Sequence, residues 1–256
     1  MSSILSKVVG LFSLSPSKRY EMRYHALSRL TKMFGFRMYI MGVTWFNDEE
    51  FFRIWSGSPF YDGHRENIED KRFLLFQLVK AVKQIDGDTA ECGVYRGDSS
   101  YLILKANENS GKVHHAFDSF EGLSKPGLKD EVSSKRTFRW QKHDLTSREA
   151  ATRNNLAGFE NLKLYKGWIP ERFQEISDKR FSFVHIDVDI YQPTYNSLAF
   201  FYPRMSPGGI ILCDDYGFDS CPGAKKACDE FLTGNKERLI HLPTGQGMII
   251  KSQYYD

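Results

Sequence analysis

Cysteine is scarce: only Cys92, Cys213, Cys221 and Cys228 occur in 256 residues. Four scattered thiols cannot build a disulfide framework. Cys92 and Cys213 fall inside apolar, strand-like runs, where a free thiol behaves as a small hydrophobe, so a reducing compartment is expected. Long apolar runs are missing too, and none approaches the roughly 18 residues of a membrane span. The first fourteen residues hold one short apolar stretch, Val8 to Phe12, with no clear small-x-small cleavage site. That reads as a cytoplasmic chain without a secretory leader. Net charge is small, with 35 Lys and Arg against 32 Asp and Glu leaving +3. With no basic block longer than a pair, a dedicated nucleic-acid binder is excluded. Only 20 Gly and 9 Pro exclude collagen-like and low-complexity chains.

Aromatics, in contrast, are plentiful: 20 Phe, 13 Tyr and 4 Trp exclude global disorder. The length suits one large α/β domain carrying an arm. A chain of this size buries roughly three quarters of its unfolded surface and needs no covalent staples. Residues 1–64 read as a helical arm or lid, and residues 65–256 as the main domain. In the arm, Lys18, Arg19, Arg23, Arg29 and Lys32 interleave with Met22, Leu27, Leu30, Met33 and Phe34 at helical spacings. The basic residues are spread around rather than gathered, which favours packing on a protein over lying on a membrane. Trp45, Phe46, Phe51, Phe52 and Trp55 follow, with core the preferred reading for most and a substrate mouth the alternative.

Beyond the arm, helical and strand patterns alternate. The spacing predicts helices over 68–82, 99–106, 171–176, 194–202 and 223–232. Strands are expected over 90–94, 113–117, 162–165, 181–186 and 209–213. A polar crossing of some thirty residues follows the second strand. Two last strands, 238–242 and 247–251, flank Pro243-Thr244-Gly245-Gln246, a hairpin signal. Strands alternating with helices indicate a doubly wound, mostly parallel sheet, here with a C-terminal antiparallel hairpin. Ligands of such Rossmann-like domains bind at the carboxyl ends of the strands, so those ends are where chemistry is sought.

The first strand ends in Glu91-Cys92-Gly93-Val94-Tyr95-Arg96-Gly97-Asp98-Ser99. Gly93 and Gly97 let backbone approach a ligand, and a helix N-terminus follows at Ser99. The Lys-Ser/Thr ending of a P-loop and the GxGxxG dinucleotide fingerprint are both absent. Glu91 is awkward for a pyrophosphate but suits a cationic ligand. The second strand ends in Asp118-Ser119-Phe120, where the acid can accept hydrogen bonds from a ribose diol. Together the two turns describe a nucleoside with a positive or amino-acid end, which fits S-adenosylmethionine better than NAD. A generic glycine turn with a helix cap at Asp118 is the bland alternative.

Downstream, the apolar run Phe181 to Ile186 drives into Asp187-Val188-Asp189, and Gly209 to Cys213 into Asp214-Asp215. Adjacent strands lie about 5 Å apart, so these carboxylates must be neighbours. Like charges that close are costly unless protonated or bridged by a cation, and an all-oxygen set selects a hard metal such as Mg2+. Two acidic loop ends capping the next helices remain the alternative. Asp187 is preferred to Asp189 as the principal group because it lies nearer the strand's end. His185 reads as core or as a supporting residue, and His114, His115 and His143 as structural.

These runs carry a resemblance. ECGVYRGDSS, FDSFEG, KGWIPERF, HIDVDIYQPTYNSLAFFYPRMSPGGIILCDDYG and GAKKACDEF resemble the macrocin O-methyltransferase (TylF/MycF-like) family over about residues 65–250. The resemblance implies a class I methyltransferase that uses S-adenosylmethionine and Mg2+ to methylate sugar hydroxyls. It implies Asp187, Asp214 and Asp215 as metal ligands, with Asp187 also the general base. It implies a donor site formed by Glu91, Gly93, Val94, Tyr95, Gly97 and Ser99 of the first turn, with Asp118, Ser119 and Phe120 of the second. Asp144, Gly167 and Trp168 are expected to complete that pocket. An oligomer is expected by the same analogy. The acceptor is expected to be a hydroxyl of a sugar, on a glycoside, a natural product or a surface glycan. The rivals are methylation of a non-sugar small molecule, an oxidoreductase binding NAD or a nucleotide sugar, and a non-catalytic relative that has lost metal carboxylates.

Overall fold

The computed structural model describes residues 16–35, 48–63, 70–133 and 137–252. The chain divides into two compact units, Met1–Phe73 and Leu74–Asp256. The boundary expected at residue 64 lies outside the described residues, as do Trp45, Phe46 and the first two residues of the helix expected over 68–82.

In the first unit, α1 (Pro16–Met33) takes up the helical spacing of the arm. Helix α2 (Glu49–Ser56) starts where the Asp48 side chain accepts the Phe51 N–H at 2.8 Å, with Glu49 and Glu50 favourably placed in its first turn. Phe51 and Trp55 are buried, so the core reading of these aromatics holds.

The second unit is a seven-stranded sheet in the order β3-β2-β1-β4-β5-β7-β6. Its strands are β1 (Asp88–Cys92), β2 (His114–Asp118), β3 (Leu162–Lys166), β4 (Phe181–Ile186), β5 (Met205–Cys213), β6 (Ile240–His241) and β7 (Gly247–Ile250). The first five run parallel, and β7 pairs antiparallel with both β5 and β6. Helices α3 (Asp70–Ala81), α4 (Asp98–Ala106), α5 (Glu149–Asn155), α6 (Tyr191–Phe201) and α7 (Pro222–Leu232) complete the alternation. Every residue of β4 is buried, as expected for a central parallel strand covered on both faces. Phe117, Tyr165, Phe173, Phe181 and Phe201 form an aromatic core beside it, with the Phe117 and Tyr165 rings stacked at 4.6 Å.

Two departures from the expected pattern matter. The crossing after β2 contains a short 3-10 turn, Leu128–Asp130, and the helix α5. The apolar period of α5 (EAATRNN) is too weak to be read, and only Thr152 is buried in it. The segment expected as a helix over 171–176 is a 3-10 turn at Phe173–Ile176. Elsewhere the elements fall within a few residues of expectation.

The chain winds outward from β1 through β2 to β3, then returns to β4 on the other side. The reversal between β1 and β4 is the topological switch point, and it opens at their carboxyl ends. Register fixes what meets there: Cys92 pairs with Ile186, and Ile186 with Cys213. The residues that come next, Gly93, Asp187 and Asp214, are therefore brought side by side. Among the described residues, no helix is long and apolar enough to cross a membrane.

Candidate active site

The three central turns are locked together by backbone. The Asp187 N–H donates to Cys92 O at 2.9 Å, and the Asp214 N–H to Ile186 O at 2.8 Å. Gly93, at φ 89°, lies so close to the next turn that a Cβ would sit 1.7 Å from Asp187 O. Only glycine fits there.

Three of the six described residues other than glycine with positive φ lie at the same rim: Tyr95 at 51°, Phe120 at 59° and Asp189 at 59° follow β1, β2 and β4. Such conformations persist only where surroundings over-determine them, and these three follow strands that are neighbours in the sheet, in the order β2-β1-β4.

The residues expected to hold the donor form a connected surface. Asp118 accepts the Tyr95 N–H through Oδ2 at 2.7 Å and the Phe120 N–H through Oδ1 at 2.6 Å. Burial pushes its carboxyl up, against the pull of those amides. Each oxygen has a second lone pair, so the group can hold both turns and still accept from a diol. The Tyr95 carbonyl accepts from Ser147 Oγ and Thr152 Oγ1, at 3.1 and 2.7 Å, which pins the first turn to α5. Val94 and Phe120 are buried, and Gly97 caps α4 with Ser99 in its first turn. Ser119 Oγ donates to Gly122 O at 3.0 Å. The Gly167 N–H donates to Asp118 O at 2.9 Å, placing Gly167 and the half-buried Trp168 beside that turn. Asp144 is drawn in through its carbonyl, which accepts the Leu123 N–H at 2.8 Å, while its carboxylate accepts the Gln141 N–H at 2.8 Å.

Glu91 differs from the expectation. Its side chain is buried and turned inward, where Oε1 meets His185 Nδ1 at 2.9 Å and Oε2 accepts from Ser100 Oγ. Burial pushes Glu91 up, but His114 and His185 beside it outweigh this and hold it below the ordinary range. His185 Nε2 faces Asp214 Oδ1 at 3.4 Å, and Gln246 Nε2 donates to the same oxygen at 2.7 Å. Burial disfavours the imidazolium, yet Asp214 and Glu91 raise His185 well above its ordinary 6.5. A cationic His185 thus ties Glu91 of β1 to Asp214 after β5, and Glu91 supports the rim rather than lining it. Residue spacing gives no hint of this relay, because it depends on the Glu91–His185 register. Gln246, from the hairpin turn, has no sequence signal either.

The acids gather at the mouth. Donor atoms of His185, Asp187 and Asp214 lie within 4.8 Å of one another, and those of Asp189, Asp215 and Cys221 form an adjoining group. Burial first, then the charges of Asp214 and Asp215, push the Asp187 carboxyl well above its ordinary value. No hydrogen-bond donor among the described residues reaches that carboxylate. Both nitrogens of His185 are engaged, which removes it as a ligand, and burial pushes the Cys221 thiol far up and keeps it protonated. What remains is an oxygen set with an excess of negative charge, the chemistry that fits a hard divalent cation.

Stability should therefore depend on pH in a defined direction. His185 and Asp187 both have folded pKa values above their unfolded ones. The stability each contributes is present at low pH and lost as pH rises through its folded pKa. Thermal melts of chelator-treated protein should show the midpoint falling as pH rises above the ordinary 3.8 of Asp187, and more steeply above the ordinary 6.5 of His185. His185→Leu, which strands two buried carboxylates, should destabilise by about 3–5 kcal/mol. A flat alkaline profile in the parent chain would contradict this assignment of charge.

A doubly wound sheet in this strand order, with glycine and acidic turns at its switch point and acids after β4 and β5, has the fold of the class I S-adenosylmethionine-dependent methyltransferases. Residues 71–243 match the family model of macrocin-O-methyltransferase (TylF), and the chain belongs to that family. It is 30% identical over 149 residues to the 8-demethyl-8-(2,3-dimethoxy-alpha-L-rhamnosyl)-tetracenomycin-C 4'-O-methyltransferase of Streptomyces olivaceus, covering 55% of this chain and 57% of the relative. The chain spans 57–58% of the length of the curated relatives it matches. Among solved structures, the O-methyltransferase NovP aligns with a TM-score of 0.58 at 24% identity, covering 72% of this chain and 80% of that one. CalS11, a calicheamicin methyltransferase, aligns with a TM-score of 0.60 at 15% identity, covering 84% and 94%. Those two likenesses carry the fold.

Proposed function

We propose that the chain transfers a methyl group from S-adenosylmethionine to a hydroxyl of a sugar, carried on a glycoside, a natural product or a surface glycan. The observation that supports this most is the Asp187 carboxyl: half-buried, pushed up first by burial and then by its acidic neighbours, and met by no hydrogen-bond donor among the described residues. A group so placed is ready to take a proton. The names of the family and of the rhamnosyl-directed relative point to a sugar acceptor.

The rim after β1 and β2 would hold the donor, with Asp118 receiving the ribose hydroxyls, Phe120 and Trp168 covering the base, and the α4 N-terminus and Gly93 admitting the amino-acid end. Asp187, Asp214 and Asp215 would hold Mg2+, with Asp189 in support. A divalent cation bound there supplies Lewis-acid polarisation of the acceptor hydroxyl. Asp187 accepts the hydroxyl proton as the oxygen forms its bond to the methyl carbon and the carbon–sulfur bond breaks, leaving a neutral thioether. His185, shared by Glu91 and Asp214, keeps the acids in place and offsets part of their charge. We place the enzyme in the cytoplasm as a homo-oligomer acting on a small-molecule acceptor, consistent with four buried free cysteines.

An oxidoreductase on the same sheet would bind NAD. Calorimetry should register S-adenosylhomocysteine and not NAD; binding of NAD alone would overturn the reading.

A further inference from the structure

The crossing between β2 and α5 reads in the sequence as a polar connection. Two of its described stretches are nevertheless anchored to the turns that carry the acids. Asp130 Oδ1 accepts the N–H of Tyr191, the first residue of α6, at 2.7 Å, while Oδ2 accepts the Gly127 N–H at 2.7 Å. This carboxylate fills a cap that Ile190, with no side-chain acceptor, cannot supply. It also occupies the space over Gly223 in the first turn of α7, where a Cβ would lie 1.7 Å from Asp130 Oδ1. Helix α6 follows Asp187–Ile190 and α7 follows Asp214–Cys221. One carboxylate therefore sits against the starts of both helices that leave the acid turns.

Lys129 fastens the same stretch: Nζ lies 2.6 Å from Glu230 of α7 and 3.9 Å from the centre of the Tyr191 ring, whose hydroxyl donates to Glu230 at 2.7 Å. The second stretch reaches the acids directly. Trp140 Nε1 donates to Cys221 Sγ at 3.2 Å, and the Cys221 thiol donates to Asp189 Oδ1 at 3.7 Å. The Asp189 N–H in turn donates to Asp215 Oδ2 at 2.9 Å. Asp189 is the residue whose φ of 59° needs outside support.

We propose that the crossing is a clamp that sets the geometry of the carboxylate cluster, with Asp130, Trp140 and Cys221 as positioning residues. Its effect on metal binding rests on the reading that the cluster holds a divalent cation; its effect on the Asp189 turn does not. Groups that orient metal-binding carboxylates from outside change metal affinity by roughly 10- to 100-fold when removed.

The test uses the full chain, Asp130→Ala, Asp130→Asn and Cys221→Ala, with two readouts. Calorimetric titration with Mg2+ should show about tenfold weaker binding in both alanine variants, with S-adenosylhomocysteine affinity unchanged. Asp130→Asn keeps an oxygen for the Tyr191 N–H and should recover most of the loss. Hydrogen exchange at the Asp189 amide, read by NMR without metal, should speed up by about tenfold in both alanine variants. Cys221→Ala removes only a thiol and carries the test if Asp130→Ala does not fold. Parental exchange at Asp189 in the folded variants overturns the clamp, whatever the metal does. If the parent chain binds no Mg2+ while Asp189 exchange still accelerates in the variants, the cation reading fails and the clamp stands.

Discussion

Asp187→Asn should cut methyl transfer by about a thousandfold, within the range a positioned general base contributes, while S-adenosylhomocysteine still binds. The amide preserves shape and volume but can neither take the acceptor proton nor bring a full charge to a cation. The same change should make the chelator-treated protein more stable. Burial and the charges of Asp214 and Asp215 oppose ionisation of Asp187, so an uncharged isostere removes a cost that the carboxylate meets once pH rises far enough to ionise it. For a domain of this size, each kcal/mol relieved raises the melting temperature by about 2–4 °C. A variant that loses activity and gains stability separates a chemical role from a structural one. Retained activity would remove Asp187 from the reaction, and a lowered melting point would mean that the acid is paired rather than exposed to like charge.

Gly93→Ala should damage fold and site together. A Cβ at this position meets backbone, 1.7 Å from Asp187 O and 2.8 Å from Asp187 C, and no side chain can swing aside to admit it. The residue also keeps φ near 89°, which an L-residue adopts only at a cost of about 1–3 kcal/mol. The turn must move away from Asp187, so we expect a loss of at least about 2 kcal/mol and a melting point lower by about 4–8 °C. Donor affinity should fall with it. Gly158 is the control: its φ is 94°, but nothing lies within 4 Å of a Cβ there, so Gly158→Ala should carry the conformational cost alone. Equal effects at the two positions would show that the close approach of Gly93 to Asp187 is not what matters.

How much of this was legible in the sequence depends on the kind of interaction. Apolar runs ending in glycine or aspartate reveal β1, β2, β4 and β5, because burial on both faces demands them, and strand alternation then puts Gly93, Asp118, Asp187 and Asp214 at one edge. The hairpin was legible from Pro243 to Gln246, where the Leu242 N–H indeed meets Gln246 O at 2.9 Å. Interactions made across register were not. Glu91 reads as a rim residue because it precedes the glycine turn, but its neighbour His185 on β4 draws it inward. Tyr95 and Phe120 carry no residue-type signal for their left-handed backbone, and Asp189 only the weak preference that aspartate has for it; tertiary contacts impose it. Asp130 looks like one acid among many in a polar crossing until the starts of α6 and α7 are seen to converge on it.

The central claim is that acids at the sheet's carboxyl edge work with a divalent cation on an alcohol oxygen beside the sulfonium. The most direct measurement supplies methyl-labelled S-adenosylmethionine to the full chain with a panel of glycosides, once with Mg2+ and once with a chelator. Label is expected on a sugar oxygen with Mg2+ present, and almost none after chelation. Transfer undiminished by the chelator, or label that settles on nitrogen or carbon, would contradict it.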